Sequence, residues 1–297
     1  MSTASSTTSK LQLLLAIVAI STGAPFARWA APAPALAIAG LRVGMASLLM
    51  FAVGWRELGR LRVLARRDAL LVIASGAMLA AHFGTWIASL EYTSTTASVS
   101  LVCTTPMFAA LLGGLLGDRV GSREWLGIAV AIAGTAVLAG GDWQAGGDAV
   151  LGDALALVGA VAAAVYLMIG RRLRAAVPLM PYLGVIHAIA AALLAAAALA
   201  TGVDAAALPG HTFVACAGAA VIASLVGHGL LNAAVRVTPT HLVALAILGE
   251  PIGSSAITWL AFGETPELHA VIGSTIVLAG IAVGFARRAA AANDLEA

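Results

Sequence analysis

Charge is scarce in this sequence. Of its 297 residues only 10% are Asp, Glu, Lys or Arg, where an ordinary soluble domain carries about a quarter. A water-soluble fold of this size could not hide the apolar remainder, because surface area falls too slowly with mass. Cysteine is nearly absent as well. Cys103 and Cys216 each sit inside an apolar run, which leaves no disulfide framework and no CxxC metal site. Both read as small packing residues. There is no GxxxxGK[ST] loop, no HExxH and no GxSxG. ATP-driven transport and the common hydrolase chemistries therefore have no sequence support. No cofactor, metal, nucleotide or nucleic-acid partner is implied.

What the chain has is apolar length. Hydrophobic residues make up 61% of it and the mean hydropathy is +1.00. A helix needs about 20 apolar residues to cross a bilayer. The sequence predicts ten such spans, at 11–30, 35–54, 69–90, 97–116, 124–140, 154–171, 180–200, 213–235, 242–262 and 268–286. The Ser/Thr-rich start, Met1 to Ser9, is expected to be disordered. The run from Leu11 is longer than a signal-peptide core and reads as an uncleaved first helix.

The basic residues test that count. Lys10, Arg56, Arg60, Arg62, Arg66, Arg67, Arg119, Arg123, Arg171, Arg172, Arg174, Arg236, Arg287 and Arg288 all fall on one side if there are ten spans. Glu91, Asp142, Asp148, Asp153, Asp204, Glu264 and Glu267 fall on the other. Basic residues flank cytoplasmic loops, so both termini are expected in the cytoplasm. The expected location is the cell (inner) membrane.

The two halves resemble each other. Thr93 and Pro106 are separated by 13 positions, as are Thr238 and Pro251. Each proline opens an apolar stretch ending in Gly-acid, Gly117-Asp118 and Gly263-Glu264. The offset of about half the chain puts five spans in each copy, 11–140 and 154–286. An odd number of spans inverts the second copy in the membrane. Inverted repeats are a common architecture of secondary transporters, with the substrate site between the copies near the midplane. The fold class is thus an all-α membrane protein of ten helices in two inverted five-helix repeats.

Several segments carry a family resemblance. They are Gly40-Leu41-Arg42, Thr104-Thr105-Pro106 with Phe108-Ala109-Ala110, Gly117-Asp118, Ala163 to Arg172, Gly249-Glu250-Pro251 and Trp259 to Glu264. In order and spacing the chain resembles the EamA-type branch of the drug/metabolite transporter superfamily, over both repeats. The resemblance implies an exporter of small metabolites with a central cavity, lined by helices 1, 3, 4, 6, 8 and 9, and with helices 5 and 10 peripheral. Within the branch it leans towards YddG-like exporters of aromatic and other amino acids. Drugs, nucleobases and other metabolites are the alternative cargo. The resemblance also places Pro25, Phe26, Tyr166 and Met168 near the cavity. Ser21 to Phe26 (STGAPF) departs from the Trp-Gly pattern common in the first helix.

Polar residues at bilayer depth are the candidate site. A charge near a helix centre costs about 2.5–3.5 kcal/mol on insertion scales, so it is kept where protein or water solvates it. Glu250 reads either as a cavity contact for a substrate amine or a proton, or as the structural partner of Arg42. Arg42 itself reads as a structural charge. His82 and Trp86 share a helix face at a four-residue spacing, suited to hydrogen bonding and stacking with substrate. His228 and Asn232 repeat that spacing in the eighth span. The alternative for both pairs is plain interhelical hydrogen bonding. His187 reads as packing. Pro106 and Pro251 free a carbonyl one turn back and kink their helices. Thr104, Thr105, Ser254 and Ser255 stand beside them as hydrogen-bonding groups. Small-residue runs such as Gly113-Gly114 and Ala190 to Ala198 permit close helix packing.

Overall fold

The structure is a computed structural model. It describes residues 2–89, 91–93, 98, 101–115, 120–138, 147–173, 177–263 and 268–293. Gly117-Asp118, Arg119, Asp142, Arg174, Glu264 and Glu267 lie outside the described residues, as do parts of the predicted spans 97–116 and 124–140.

The described chain is helical. In order it forms α1 (Ser2–Ile20), α2 (Gly23–Trp29), α3 (Ala35–Gly54), α4 (Arg66–Ser89), α5 (Thr105–Leu115), α6 (Ser122–Leu138), α7 (Asp148–Leu173), α8 (Leu179–Ala200) and α9 (Gly210–Ala219). A π-helical stretch, Ala220–His228, joins α9 to α10 (Gly229–Ala234). Then come α11 (Thr240–Ile247), α12 (Glu250–Phe262) and α13 (Leu268–Asn293). Proline sets many of the starts. Pro34, Pro178, Pro209 and Pro239 stand immediately before α3, α8, α9 and α11, where a fixed φ helps and the missing N–H costs nothing. Gly263, at φ 75°, ends α12 in the left-handed conformation. The N-terminal segment differs from expectation: helix begins at Ser2. Once the apolar residues from Leu11 have nucleated a helix, each added residue gains a hydrogen bond at small cost.

Among the described residues, seven helical runs are long and apolar enough to cross a membrane: Leu11–Trp29, Ala35–Leu61, Arg66–Ser89, Asp148–Leu173, Leu179–Ala200, Gly210–Ala234 and Thr240–Ala261. Thr105–Gly114 and Val271–Phe285 are shorter apolar helices. Large apolar side chains face outward on many of these runs. Leu48 is 71% exposed, Leu199 71% and Leu260 80%, a surface that suits lipid better than water.

The packing has a pattern. α3 lies along α8, α5 meets α11, and α6 runs along α13. α4 lies along α7, while α1 packs on the π-helical stretch and α10. Each half can be read as five segments: α1–α2, α3, α4, α5, α6, then α7, α8, α9–α10, α11–α12, α13. Exchanging equal-numbered segments returns the same set of pairs, which is what a two-fold relation between the halves generates.

Small residues let the backbones touch. A Cβ on Gly280 would lie 2.5 Å from the backbone nitrogen of Ala131, and one on Gly127 would lie 2.6 Å from that of Gly284. Thus α6 and α13 meet backbone to backbone, as small-residue seams in membranes do. The main core lies elsewhere, around Phe83, Tyr182, Ile186 and Leu79, and it surrounds the cavity.

Candidate functional site

Two helices tighten where they cross. α1 passes into α2 through a turn at Ser21-Thr22, with Thr22 N–H donating to the Ala19 carbonyl at 3.2 Å. α11 passes into α12 in the same way, with Gly249 N–H donating to the Ala246 carbonyl at 3.0 Å. Pro251 brings no N–H, so the Ile247 carbonyl loses its helical donor. Side chains bind the two turns together. Ser254 Oγ donates to the Ser21 carbonyl at 2.8 Å, and Ser21 Oγ donates to the Glu250 carbonyl at 3.2 Å. A Cβ on Gly253 would stand 2.2 Å from Ser21 Oγ, so only glycine permits this crossing. The kink at Pro106 is relieved locally instead. Thr105 Oγ1 donates at 2.7 Å to the Val102 carbonyl, the group the proline leaves unpaired.

Beside the crossing lies a cavity of about 770 Å³, open mouth included. One wall is aromatic and comes from α4. Phe83 is its hub. The Arg42 guanidinium stands 4.8 Å above the Phe83 ring, a cation–π distance. His82 lies 4.8 Å from that ring, and His228 meets it edge-on at 5.6 Å. His82 and Trp86 are near-parallel, 12° apart in plane with centroids 6.0 Å apart. His82 Nδ1 is 3.0 Å from the Gly159 carbonyl. A carbonyl only accepts, so that nitrogen carries the proton and Nε2 is left as an acceptor. Trp86 Nε1 is a buried donor without a partner among the described residues.

The opposite charges face the same space. Arg42, on α3, is 4% exposed and lines the cavity. Its Nε donates to Ser224 Oγ at 3.1 Å, which fixes the plane of the guanidinium. Its two Nη atoms have no protein partner among the described residues and are not sealed from the cavity. Glu250, half-buried on α12, also lines it. No ion pair joins Arg42 to Glu250 among the described residues, although each lies in the other's field. An arginine fork and a carboxylate are thus both presented to whatever occupies the cavity.

The predicted residues fall into two groups. His82, Trp86, Thr105, Tyr166, His228, Glu250 and Ser254 line the cavity together with Arg42. Phe26 does not; its ring packs across Gly218, where a Cβ would come within 2.5 Å. Thr104 turns its hydroxyl to the Leu101 carbonyl at 2.6 Å. Asn232 is fully buried behind the wall, bonded to the Tyr166 hydroxyl and, at 2.9 Å, to the His228 carbonyl. Pro106 and Pro251 are buried in their kinks, and Pro25 and Met168 are not among the lining residues. His187 is fully buried, with Nδ1 2.9 Å from the Leu183 carbonyl. Sequence reasoning missed Phe83, Ser224 and Cys103, the last being a lining residue rather than mere packing. Phe83 was findable: it shares a helix face with Trp86 at a three-residue spacing.

Fold and cavity agree with a family comparison. The model of the EamA-like transporter family matches the chain twice, at residues 8–140 and 150–285. The chain belongs to that family, and membership marks it as a multi-pass membrane protein and a transporter of small molecules. A solved crystal structure superposes with a TM-score of 0.81 at 20% identity, covering 95% of this chain and 98% of the other. At that identity the likeness speaks for the fold alone. No curated protein matches the sequence.

Proposed function

We propose that this protein is a secondary transporter that exports zwitterionic metabolites, aromatic and other amino acids foremost, across the cell (inner) membrane. The observation that carries the reading is the unpaired couple in the cavity. Arg42 offers two parallel N–H donors of the kind that match a carboxylate, and Glu250 offers the counter-charge for an ammonium group. The wall of His82, Phe83 and Trp86 suits an aromatic or apolar side chain. Thr105, Tyr166, His228 and Ser254 add further polar groups to the lining.

In this reading ten helices cross the bilayer as two inverted repeats, 11–140 and 154–286, with both termini in the cytoplasm. The alternation of basic and acidic loops and the exchange symmetry of the helix pairs support it. Transport proceeds by alternating access, the two repeats rocking about the cavity. The experiment is uptake of labelled phenylalanine, tryptophan, methionine and threonine into liposomes holding the purified protein, against empty liposomes. Saturable uptake that unlabelled amino acid competes away is the expected result. Folded protein that moves none of them refutes the zwitterion reading and turns the search to nucleobases and drugs.

A further inference from the structure

We infer that a second polar layer, between the cavity and the Arg171-Arg172 end of the bundle, is the closure that seals the cavity on that side, and that its parting is a step of transport. The inference rests on the transporter reading above. Tyr166 belongs to both layers. Its ring lines the cavity, and its hydroxyl meets Asn232 Nδ2. One turn further along α7 is Gly170, beside which a Cβ would lie 3.3 Å from both Asn232 Oδ1 and the Tyr182 hydroxyl. The Tyr182 hydroxyl in turn pairs with Ser75 Oγ at 2.7 Å. Asn232, Tyr182 and Ser75 are each 0% exposed.

The layer is placed where a closure has to be. α7 ends at Leu173, three residues beyond Gly170; α10 ends at Ala234, two beyond Asn232; and Tyr182 is the fourth residue of α8. The cavity residues of the same helices, Tyr166, Leu167 and Leu231, lie on the inner side. Ser75 comes from the first half of the chain and the other members from the second, so the layer spans the contact that rocking repeats would break.

Its chemistry suits reversible opening. An apolar plug loses its burial outright when water enters, whereas these hydroxyls and amides exchange protein partners for water partners. Asn232 Oδ1 is buried with no partner among the described residues in the closed arrangement. Entering water supplies one, so the closed state carries an unmet group that opening satisfies.

Cys103 is a built-in reporter, because it lines the cavity. The test uses the full chain with Cys216→Ala, in right-side-out and inverted membrane vesicles, and reads labelling of Cys103 by a membrane-impermeant maleimide. In the parent, labelling from the basic face should be at least tenfold slower than in detergent. Tyr182→Phe and the milder Ser75→Ala should each raise it several-fold. Fast labelling from the basic face in the parent overturns the inference, as does no rise in either loosening variant that elutes as folded protein. Labelling needs no substrate. A shift in labelling beside absent uptake of the four amino acids would therefore sink the zwitterion reading and leave the closure standing.

Discussion

Arg42→Lys separates a fork from a bare charge. Lysine keeps the positive charge within the cavity, but its compact ammonium cannot offer two parallel donors. In the structure Arg42 commits Nε to Ser224 and leaves both Nη atoms to the cavity. If a carboxylate takes those two donors, lysine replaces one and forfeits the other. A hydrogen bond to a charged group is worth about 1.5–3 kcal/mol, and about 1.4 kcal/mol is tenfold in affinity. The expected result is a ten- to hundredfold rise in KM, on the order set by those values. The assay is initial-rate uptake into liposomes, with the variant matched to the parent in elution profile and melting temperature. Ser224→Ala is the companion variant: it keeps the fork but loosens its plane, so its KM should rise less than that of Arg42→Lys. A folded Arg42→Lys protein with the parental KM for every transported substrate would refute the carboxylate assignment.

Other substitutions divide the site further. Glu250→Gln keeps the shape and removes the charge, and should lower uptake at least tenfold with little change in melting temperature; normal uptake by well-expressed protein would end any carrier role for Glu250. His82→Ala should raise KM for aromatic substrates more than for threonine, because it removes one ring of the stacked wall; an equal effect on both, or none, would place His82 in the structural class. Trp86→Phe deletes the partnerless N–H but keeps a ring, so melting temperature should hold while affinity falls several-fold; a drop in melting temperature without loss of affinity reverses that assignment. Gly280→Val forces a side chain into the Ala131 backbone and should destabilise the protein by about 1–3 kcal/mol, the usual cost of overpacking, read as a lower melting temperature; an unchanged value contradicts the close seam of α6 and α13.

Helices were easier to read than their ends and their interruptions. The run expected at 35–54 is α3, Ala35–Gly54, to the residue, because apolar length and flanking Pro34 both point there. The expected start at 154 was six residues late. Gly152 and Asp153 look like loop, yet α7 runs through them from Asp148. Thr93 Oγ1 donates to Asp153 at 2.9 Å, and Gly152 admits Thr93 where a Cβ would stand 2.8 Å away. A contact between residues 60 positions apart has no local signature. The π-helical stretch Ala220–His228 is invisible for a similar reason: it packs against α1 and α3, distant contacts with no local signature. In the cavity, rarity was the useful signal. Histidines and an acid inside apolar runs stand out, whereas Phe83 is one apolar residue among many. Depth alone could not tell that Arg42 and Glu250 share a cavity without touching.

The crossing of the first and ninth predicted spans has a consequence for how this sequence can change. Ser21 supplies a carbonyl to Ser254 and a hydroxyl to Glu250, and it occupies the room that Gly253 leaves. Neither 21 nor 253 has a neutral substitution of its own. A larger residue at 253 demands a smaller one at 21, and a smaller one at 21 takes the hydroxyl donor away from the Glu250 carbonyl. In variant libraries or among divergent relatives, positions 21 and 253 should therefore vary as one inherited unit, although more than two hundred positions separate them in the chain.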